Sequence, residues 1–248
     1  MGNKVHPKAF RLSTIYTWDS KWFANKKQFV VALSEDVGMR VFIRKSLKDA
    51  GIDKIEIDRT PKNVVIAIYA AKPGFVIGRA GLGSEELKKK LLAKFFRGRR
   101  VTLAINVHEV SRPALSSEIV GQQIAKELES RMAFRRSMKM AIERVMKAGA
   151  KGVKITISGR LNGAEIARTE TLSQGSIPLH NLRADIEFAR IRATTLQGVI
   201  GIKVWIYRGE VFATTKEKST DDTAKPTEQR RSRSRPAERA SRAQQGRA

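Results

Sequence analysis

Lys72-Pro73-Gly74-Phe75-Val76-Ile77-Gly78-Arg79-Ala80-Gly81-Leu82-Gly83-Ser84 is the stretch that decides the fold. The apolar run before it, Val64 to Ala71, reads as a buried strand. The segment after it, Glu85 to Phe96, reads as an amphipathic helix, because Leu87, Leu91 and Phe95 recur every four residues. Lys88, Lys89, Lys90 and Lys94 decorate the rest of that helix. Ser84 is expected as its N-cap, with Glu85 and Glu86 complementing the positive helix end. Between strand and helix, Gly78-Arg79-Ala80-Gly81 lets the backbone turn tightly and approach another backbone closely. A polyanion crossing it would meet N–H groups, a cation and a helix N-terminus. Two other phosphate-binding patterns are excluded. The chain has no Gly-x4-Gly-Lys-Ser/Thr, and Gly81-Leu82-Gly83 lacks the third glycine of a dinucleotide fingerprint.

The 248 residues suffice for two domains of ordinary size. Lys and Arg number 49 against 24 Asp and Glu, a net charge of +25. Such an excess repels itself in a compact chain and implies a polyanionic partner. Nucleic acid, an anionic membrane surface and an acidic protein are the classes that fit. No apolar run approaches membrane-spanning length, and the polar, basic start lacks the apolar core of a signal peptide. Cysteine is absent, which removes disulfides and Cys-ligated zinc and suits a reducing cytoplasm.

Taken in order, residues 1–20 read as a basic N-terminal arm, with Lys4, His6, Lys8 and Arg11 as candidate RNA contacts. Trp18, Trp22 and Phe23 are assigned to core or partner packing. Residues 21–110 read as one domain. Lys26 to Ala50 is helical, with Phe29, Leu33, Val37, Val41 and Leu47 as its apolar face and Gly51 as its stop. Ile52, Ile55 and Ile57 mark a first strand, Asp58 to Asn63 a turn, and Val64 onward the second strand. After the glycine loop and its helix, Arg97-Gly98-Arg99-Arg100 is a basic turn, and Val101 to Val110 is a third strand.

Residues 111–212 read as a second domain of α+β class. Leu115 to Met132 is a helix with Leu115, Ile119, Ile124 and Leu128 inward. Phe134 to Ala148 is another, with Arg135, Arg136, Lys139, Arg144 and Lys147 outward. Met132, Met138 and Met146 are taken as core filler. Gly152 to Gly159 is expected as a strand, and Ser158 to Glu170, Pro178 to Ile186 and Gly198 to Glu210 as hairpinned strands rich in glycine turns, giving two helices on an antiparallel sheet. Residues 213–248 hold ten Lys and Arg against five Asp and Glu and almost nothing apolar. They read as a disordered basic tail.

The order helix, strand, strand, short helix, GXXG, helix, strand resembles a type II KH domain, in which the loop clamps single-stranded nucleotides by their backbone. Gly78, Arg79, Ala80 and Gly81 would then be the RNA-binding loop, with Ala80 weakening its electrostatic grip. The start, Gly2-Asn3-Lys4-Val5-His6-Pro7, and the segments after Ser158, Pro178 and Gly198 resemble the bacterial small-subunit ribosomal protein S-three family, over about Gly2 to Phe212. The resemblance implies a structural constituent of the small-subunit head that binds 16S-type ribosomal RNA and lies beside small-subunit proteins ten and fourteen. It further implies that, with proteins four and five, the chain lines the tunnel where messenger RNA enters. Basic residues matching Arg135, Arg136 and Lys139 would assist unwinding of structured message. Met140 and the Thr171 to Ile177 segment depart from the family pattern, the latter being less aromatic and less basic.

An enzyme is not expected. His6, His108 and His180 lie far apart with no metal-ligand spacing, and no nucleophile elbow appears. Asp185 and Glu187 are read as surface charges on a strand, and His180 as a hydrogen-bonding loop residue. No cofactor and no membrane partner are implied. The alternative function is a free-standing KH-type RNA chaperone.

Overall fold

A computed structural model describes residues 4–97, 99 and 101–212. Gly2 and Asn3 of the N-terminal motif, Gly98 and Arg100 of the basic turn, and the 213–248 tail lie outside the described residues. A short helix α1 (Pro7–Phe10) and strand β1 (Ser20–Lys21) lead into helix α2 (Lys26–Ser46). Strands β2 (Ile52–Arg59) and β3 (Asn63–Ala70), helices α3 (Gly74–Ile77) and α4 (Leu82–Phe95), and strand β4 (Thr102–Glu109) follow. The sheet order is β1-β2-β3-β4. β2 and β3 form an antiparallel pair, whereas β4 runs parallel to β3, from Asn63 opposite Thr102 to Ala70 opposite Glu109. A parallel partner requires a crossover, and α3, the glycine loop and α4 supply it. Val64, Ile66, Ile68 and Ala70 point inward from β3 and pack with Ile55, Ile57, Leu103, Met39, Ile43, Leu87 and Leu91.

Helix α2 presents a different face from the one its apolar spacing predicts. Phe29, Leu33, Val37 and Val41 are exposed, and the buried positions are Glu35, Asp36, Met39 and Ile43. The reason is ionic. The Asp36 carboxylate, fully buried, accepts from Arg59 Nε at 2.7 Å, Trp22 Nε1 at 2.8 Å and Ser20 Oγ at 3.2 Å. Glu35 accepts from Arg59 Nη1 at 2.8 Å and from Arg99. A buried carboxylate must be paired, and these donors sit on or beside β1, at the end of β2 and in the turn before β4. Pairing therefore turns the acidic face of α2 toward the sheet. Trp22 packs on Phe29 at 5.2 Å, while Trp18 and Phe23 are exposed and belong to no core.

The second half holds helices α5 (Ser117–Glu129) and α6 (Phe134–Lys147) on one face of an antiparallel sheet. Its strands are β5 (Gly152–Gly159), β6 (Arg168–Gly175), β7 (Ala184–Thr195) and β8 (Gly198–Glu210), in the order β6-β5-β8-β7. Val153, Ile155, Ile157, Ile202, Val204 and Ile206 point at the helices and meet Ile124, Leu128, Met138, Ile142 and Val145. Gly121 of α5 admits the Ile191 side chain, because a Cβ there would lie 2.5 Å from Ile191 Cδ1. β6 is a polar edge strand whose Thr171 hydroxyl pairs with that of Thr156 at 3.0 Å. Residues 178–183 are turn, and the strand expected there begins at Ala184 and runs to Thr195.

The N-terminal segment is not a free arm. Arg11 is fully buried and donates to the carbonyls of Pro7 at 3.0 Å, Leu179 at 3.0 Å and Asn181 at 2.8 Å. The guanidinium thus staples residues 7–11 to the turn before β7, which explains why that turn is not strand. Tyr16 adds a hydrogen bond from its hydroxyl to Asp185. Lys8 pairs with Asp19 at 3.2 Å.

The two halves meet at the start of α5. Ser116, the N-cap, accepts from the Ile119 N–H at 3.3 Å and donates to Asp53 of β2 at 2.5 Å. Gln122 donates to the Ile52 carbonyl at 2.8 Å. Glu187 of β7, expected at the surface, is largely buried and accepts from the Ser117 N–H at 3.0 Å and from Arg208 at 2.5 Å. Burial pushes the Glu187 carboxyl up to about 7, against the opposing pull of Arg208.

Arg11→Ala should destabilise the protein by roughly 2–4 kcal/mol, since it removes a buried donor shared by the Pro7, Leu179 and Asn181 carbonyls. Thermal melts measure this; a change near zero would show that the staple is dispensable. For Glu187, the raised folded value means that its contribution is full below about 4.3, its unfolded value, and is lost as pH rises through about 7. The stability of the native chain relative to Glu187→Gln should therefore fall between pH 5 and pH 8. A rise over the same interval would mean that Arg208 holds the carboxylate ionised.

Candidate nucleic-acid interface

The glycine loop is built by close backbone contact. Gly78 has φ 71°, and a Cβ there would lie 2.9 Å from the Gly83 nitrogen. A Cβ on Gly83 would meet the Val76 and Ile77 carbonyl oxygens at 3.0 Å. The ends of α3 and α4 therefore touch through backbone alone, which requires glycine at both positions. Gly81 caps α4 with φ 83°, and Ala80 adopts φ 50°. Helix α4 thus starts at Leu82, earlier than expected. Ser84 lies inside its first turn and donates to the Gly81 carbonyl at 2.8 Å instead of capping the helix. The helix N-terminus opens directly onto the loop.

Arg79 and Ala80 are exposed at the tip, and Arg79 has no ion-pair partner among the described residues. Around the loop, Phe75, Ile77 and Leu82 form an exposed apolar shoulder, with Lys72 5.8 Å from the Phe75 ring. The sequence reading missed this shoulder. The available signal was the helix length: a four-residue helix can bury only one of three consecutive apolar side chains, and α3 buries Val76. The arrangement offers N–H groups and a cation to phosphates, and apolar surface to the flat face of a base.

The α6 residues are partly brought together. Arg135, Arg136 and Lys139 are all exposed at its N-terminal end. Arg135 is engaged, donating from Nε and Nη2 to Glu170 of β6 at 3.0 Å each, and Arg168 lies 3.8 Å from the same carboxylate. The hydrogen bond from Arg135 holds the Glu170 carboxyl below its ordinary value. Arg136 and Lys139 have no acidic partner among the described residues. Further along the helix, Arg144 is drawn to Glu127 at 3.2 Å.

Of the four N-terminal candidates, Arg11 is corrected: buried against carbonyls, it has no face for a phosphate. Lys8 is tied to Asp19. Lys4 is exposed, and His6 caps α1 by accepting from the Ala9 N–H and sets its ring edge-on to Phe188 at 4.8 Å. Burial, with Arg190 and Lys8 nearby, lowers the His6 pKa. His108 stacks on Tyr69 at 5.0 Å, and His180 lies exposed in the turn before β7. Among the described residues no group of three or more His, Asp or Glu side chains could hold a metal ion, and no helix is long and apolar enough to cross a membrane.

A mixed sheet crossed by helix, glycine loop and helix defines a KH-type nucleic-acid-binding protein. The family model for the KH domain matches residues 39–115, and the model for the ribosomal protein S3 C-terminal domain matches residues 124–206. The small ribosomal subunit protein uS3 of Enterococcus faecalis is 50% identical over 216 residues, covering 87% of this chain and 97% of the relative. That of Ligilactobacillus salivarius is 48% identical over 219 residues, covering 88% and 98%. That of Oenococcus oeni is 49% identical over 213 residues, covering 85% and 80%. The chain belongs to the uS3 family of small ribosomal subunit proteins.

Ala80→Lys, at a backbone conformation that Ala80 already tolerates, should tighten binding of the whole chain to a single-stranded RNA severalfold at low salt. The slope of log affinity against log salt should steepen by about 0.7. An unchanged slope would remove the loop from the phosphates.

Proposed function

We propose that this chain works in the cytoplasm as a structural constituent of the small ribosomal subunit head, without enzymatic activity, and that it binds ribosomal RNA there. We further propose that it lines the tunnel where messenger RNA enters, together with small-subunit proteins four and five, and helps separate structured message. The observation that carries this finer reading is the N-terminal end of α6, where Arg136 and Lys139 stand exposed without acidic partners among the described residues. Cations one turn apart on a rigid helix hold successive phosphates of a strand without reading its bases. Arg135 shares its charge with Glu170, so Arg136 and Lys139 carry most of the grip. The work of unwinding comes from the ribosome's own movement.

Small-subunit proteins ten and fourteen are the proposed neighbours in the head. The exposed stripe of α2, with Phe29, Val30, Leu33, Val37 and Val41, supports a protein contact, since such apolar continuity is rarely left in water.

Ribosomes carrying Arg136→Ala and Lys139→Ala should pass a stable message hairpin about three- to tenfold more slowly. On unstructured message they should stay within about twofold of the unaltered rate, because only a duplex demands that a strand be held as it leaves its partner. Adding Arg135→Ala should deepen the defect only modestly. Equal slowing on both messages, read by single-turnover translation, would remove this role.

A further inference from the structure

The helices cover one face of the C-terminal sheet. The opposite face is open and carries a pattern that neither the glycine loop nor α6 explains. Register places Lys154 of β5, Trp205 of β8 and Phe188 of β7 in one row across three strands. The next row is Thr156, Lys203 and Arg190. Trp205 and Phe188 lie 5.0 Å apart with a 36° tilt, and Lys154 Nζ lies 5.5 Å from the Trp205 ring. Arg190 lies 5.8 Å from the Phe188 ring. The N-terminal segment forms one wall, with His6 against Phe188 and Lys4 beside it, enclosing a groove of about 610 Å³. Among the described residues no Asp or Glu lines this groove, and Lys4, Lys154, Arg190 and Lys203 enter no ion pair.

Aromatic rings on a sheet surface are ordinarily covered by other apolar side chains. Here they are only half covered, and what surrounds them is cationic. Ring faces accept an unstacked base, and flanking cations hold the phosphates on either side. A duplex hides its base faces, so the surface suits an unpaired nucleotide. The chain's own 213–248 segment is net basic and would be repelled.

We propose that this open face is a further RNA-binding surface that takes an unpaired nucleotide, the base against Trp205 and Phe188 and the adjoining phosphates on Lys154, Arg190 and Lys203. It rests on the reading that the chain acts on RNA, and extends that reading to a surface distinct from the glycine loop and from α6.

The test uses the full chain, freed of RNA, and a fluorescein-labelled single-stranded uridine-rich decamer, with anisotropy read across a salt series. Lys154→Ala, Arg190→Ala and Lys203→Ala combined should weaken binding about tenfold and flatten the salt slope by about two. Trp205→Ala should weaken it severalfold, while Trp205→Phe, which keeps a ring for both packing and stacking, should stay within about twofold. A duplex of the same length should be indifferent to Trp205→Ala. Full binding by both the triple variant and Trp205→Ala, with loss only in Arg136→Ala/Lys139→Ala, would overturn this surface and leave the proposed function standing. Failure of the native chain to bind the decamer at low salt would overturn both. Displacement of the decamer by polyglutamate, with Trp205→Ala binding RNA as well as the native chain, would point to an acidic protein partner and also overturn it.

Discussion

The start of α5 is the point on which the rest of the structure depends. One helix N-terminus is satisfied from both halves of the chain. Ser116 caps it and reaches Asp53 in the KH sheet, while Glu187 from the C-terminal sheet takes the Ser117 N–H. A helix end buried without such partners would leave donors unpaired at substantial cost. Satisfying these donors from two sheets at once fixes both to the same helix. Gln122 on Ile52 and Lys126 on Asp49 continue the contact along α5. The glycine loop and the α6 cations are therefore carried on connected elements, not on domains joined by a free linker.

That joint was not legible in the sequence. Glu187 occupies an alternating strand and looks like an outward charge, because period-two spacing does not say what covers its face. The inward face of β7 meets α5 at the helix end that wants an anion, a fact of tertiary packing. The same blindness affected α2. Its four-residue apolar repeat is genuine, but Asp36 with Arg59, Trp22 and Ser20 outweighs it and turns the stripe outward. Propensity and spacing locate a helix well; they do not rank a buried ion network against an apolar stripe.

What was legible is the set of features whose cause is local. The glycine pair around Arg79-Ala80, the order of elements and the alternation of β5 and β8 follow from backbone sterics and side-chain period. Even there the helix boundary slipped, since Gly81 in the left-handed region caps α4 where Ser84 looked the better residue. Arg135, Arg136, Lys139 and Lys147 of α6 are exposed as their spacing predicts, whereas Arg144 is half-buried against Glu127. Their inequality was not visible, because Glu170 reaches Arg135 from an edge strand distant in sequence. Arg11 shows the reverse case: a residue that composition assigns to solvent is the most deeply buried cation of the N-terminal segment.

These placements also explain how a chain of net charge +25 folds before its partner neutralises it. Several of the few acids sit inside the structure. Asp36 and Glu35 take Arg59, Glu187 takes Arg208, and Glu127 takes Arg144. These contacts offset positive charge at points where they also hold two elements together. Among the cations that enter no ion pair with a described acid are Arg79 at the loop tip, Arg136 and Lys139 on α6, and Lys154, Arg190 and Lys203 on the open sheet face. Long-range repulsion among them is screened beyond about 10 Å in ordinary salt, so spreading them over separate surfaces costs the fold little. Gathering them into one patch would cost more and would serve only a single segment of RNA. The distribution of acids, more than the number of bases, therefore determines which surfaces remain positive.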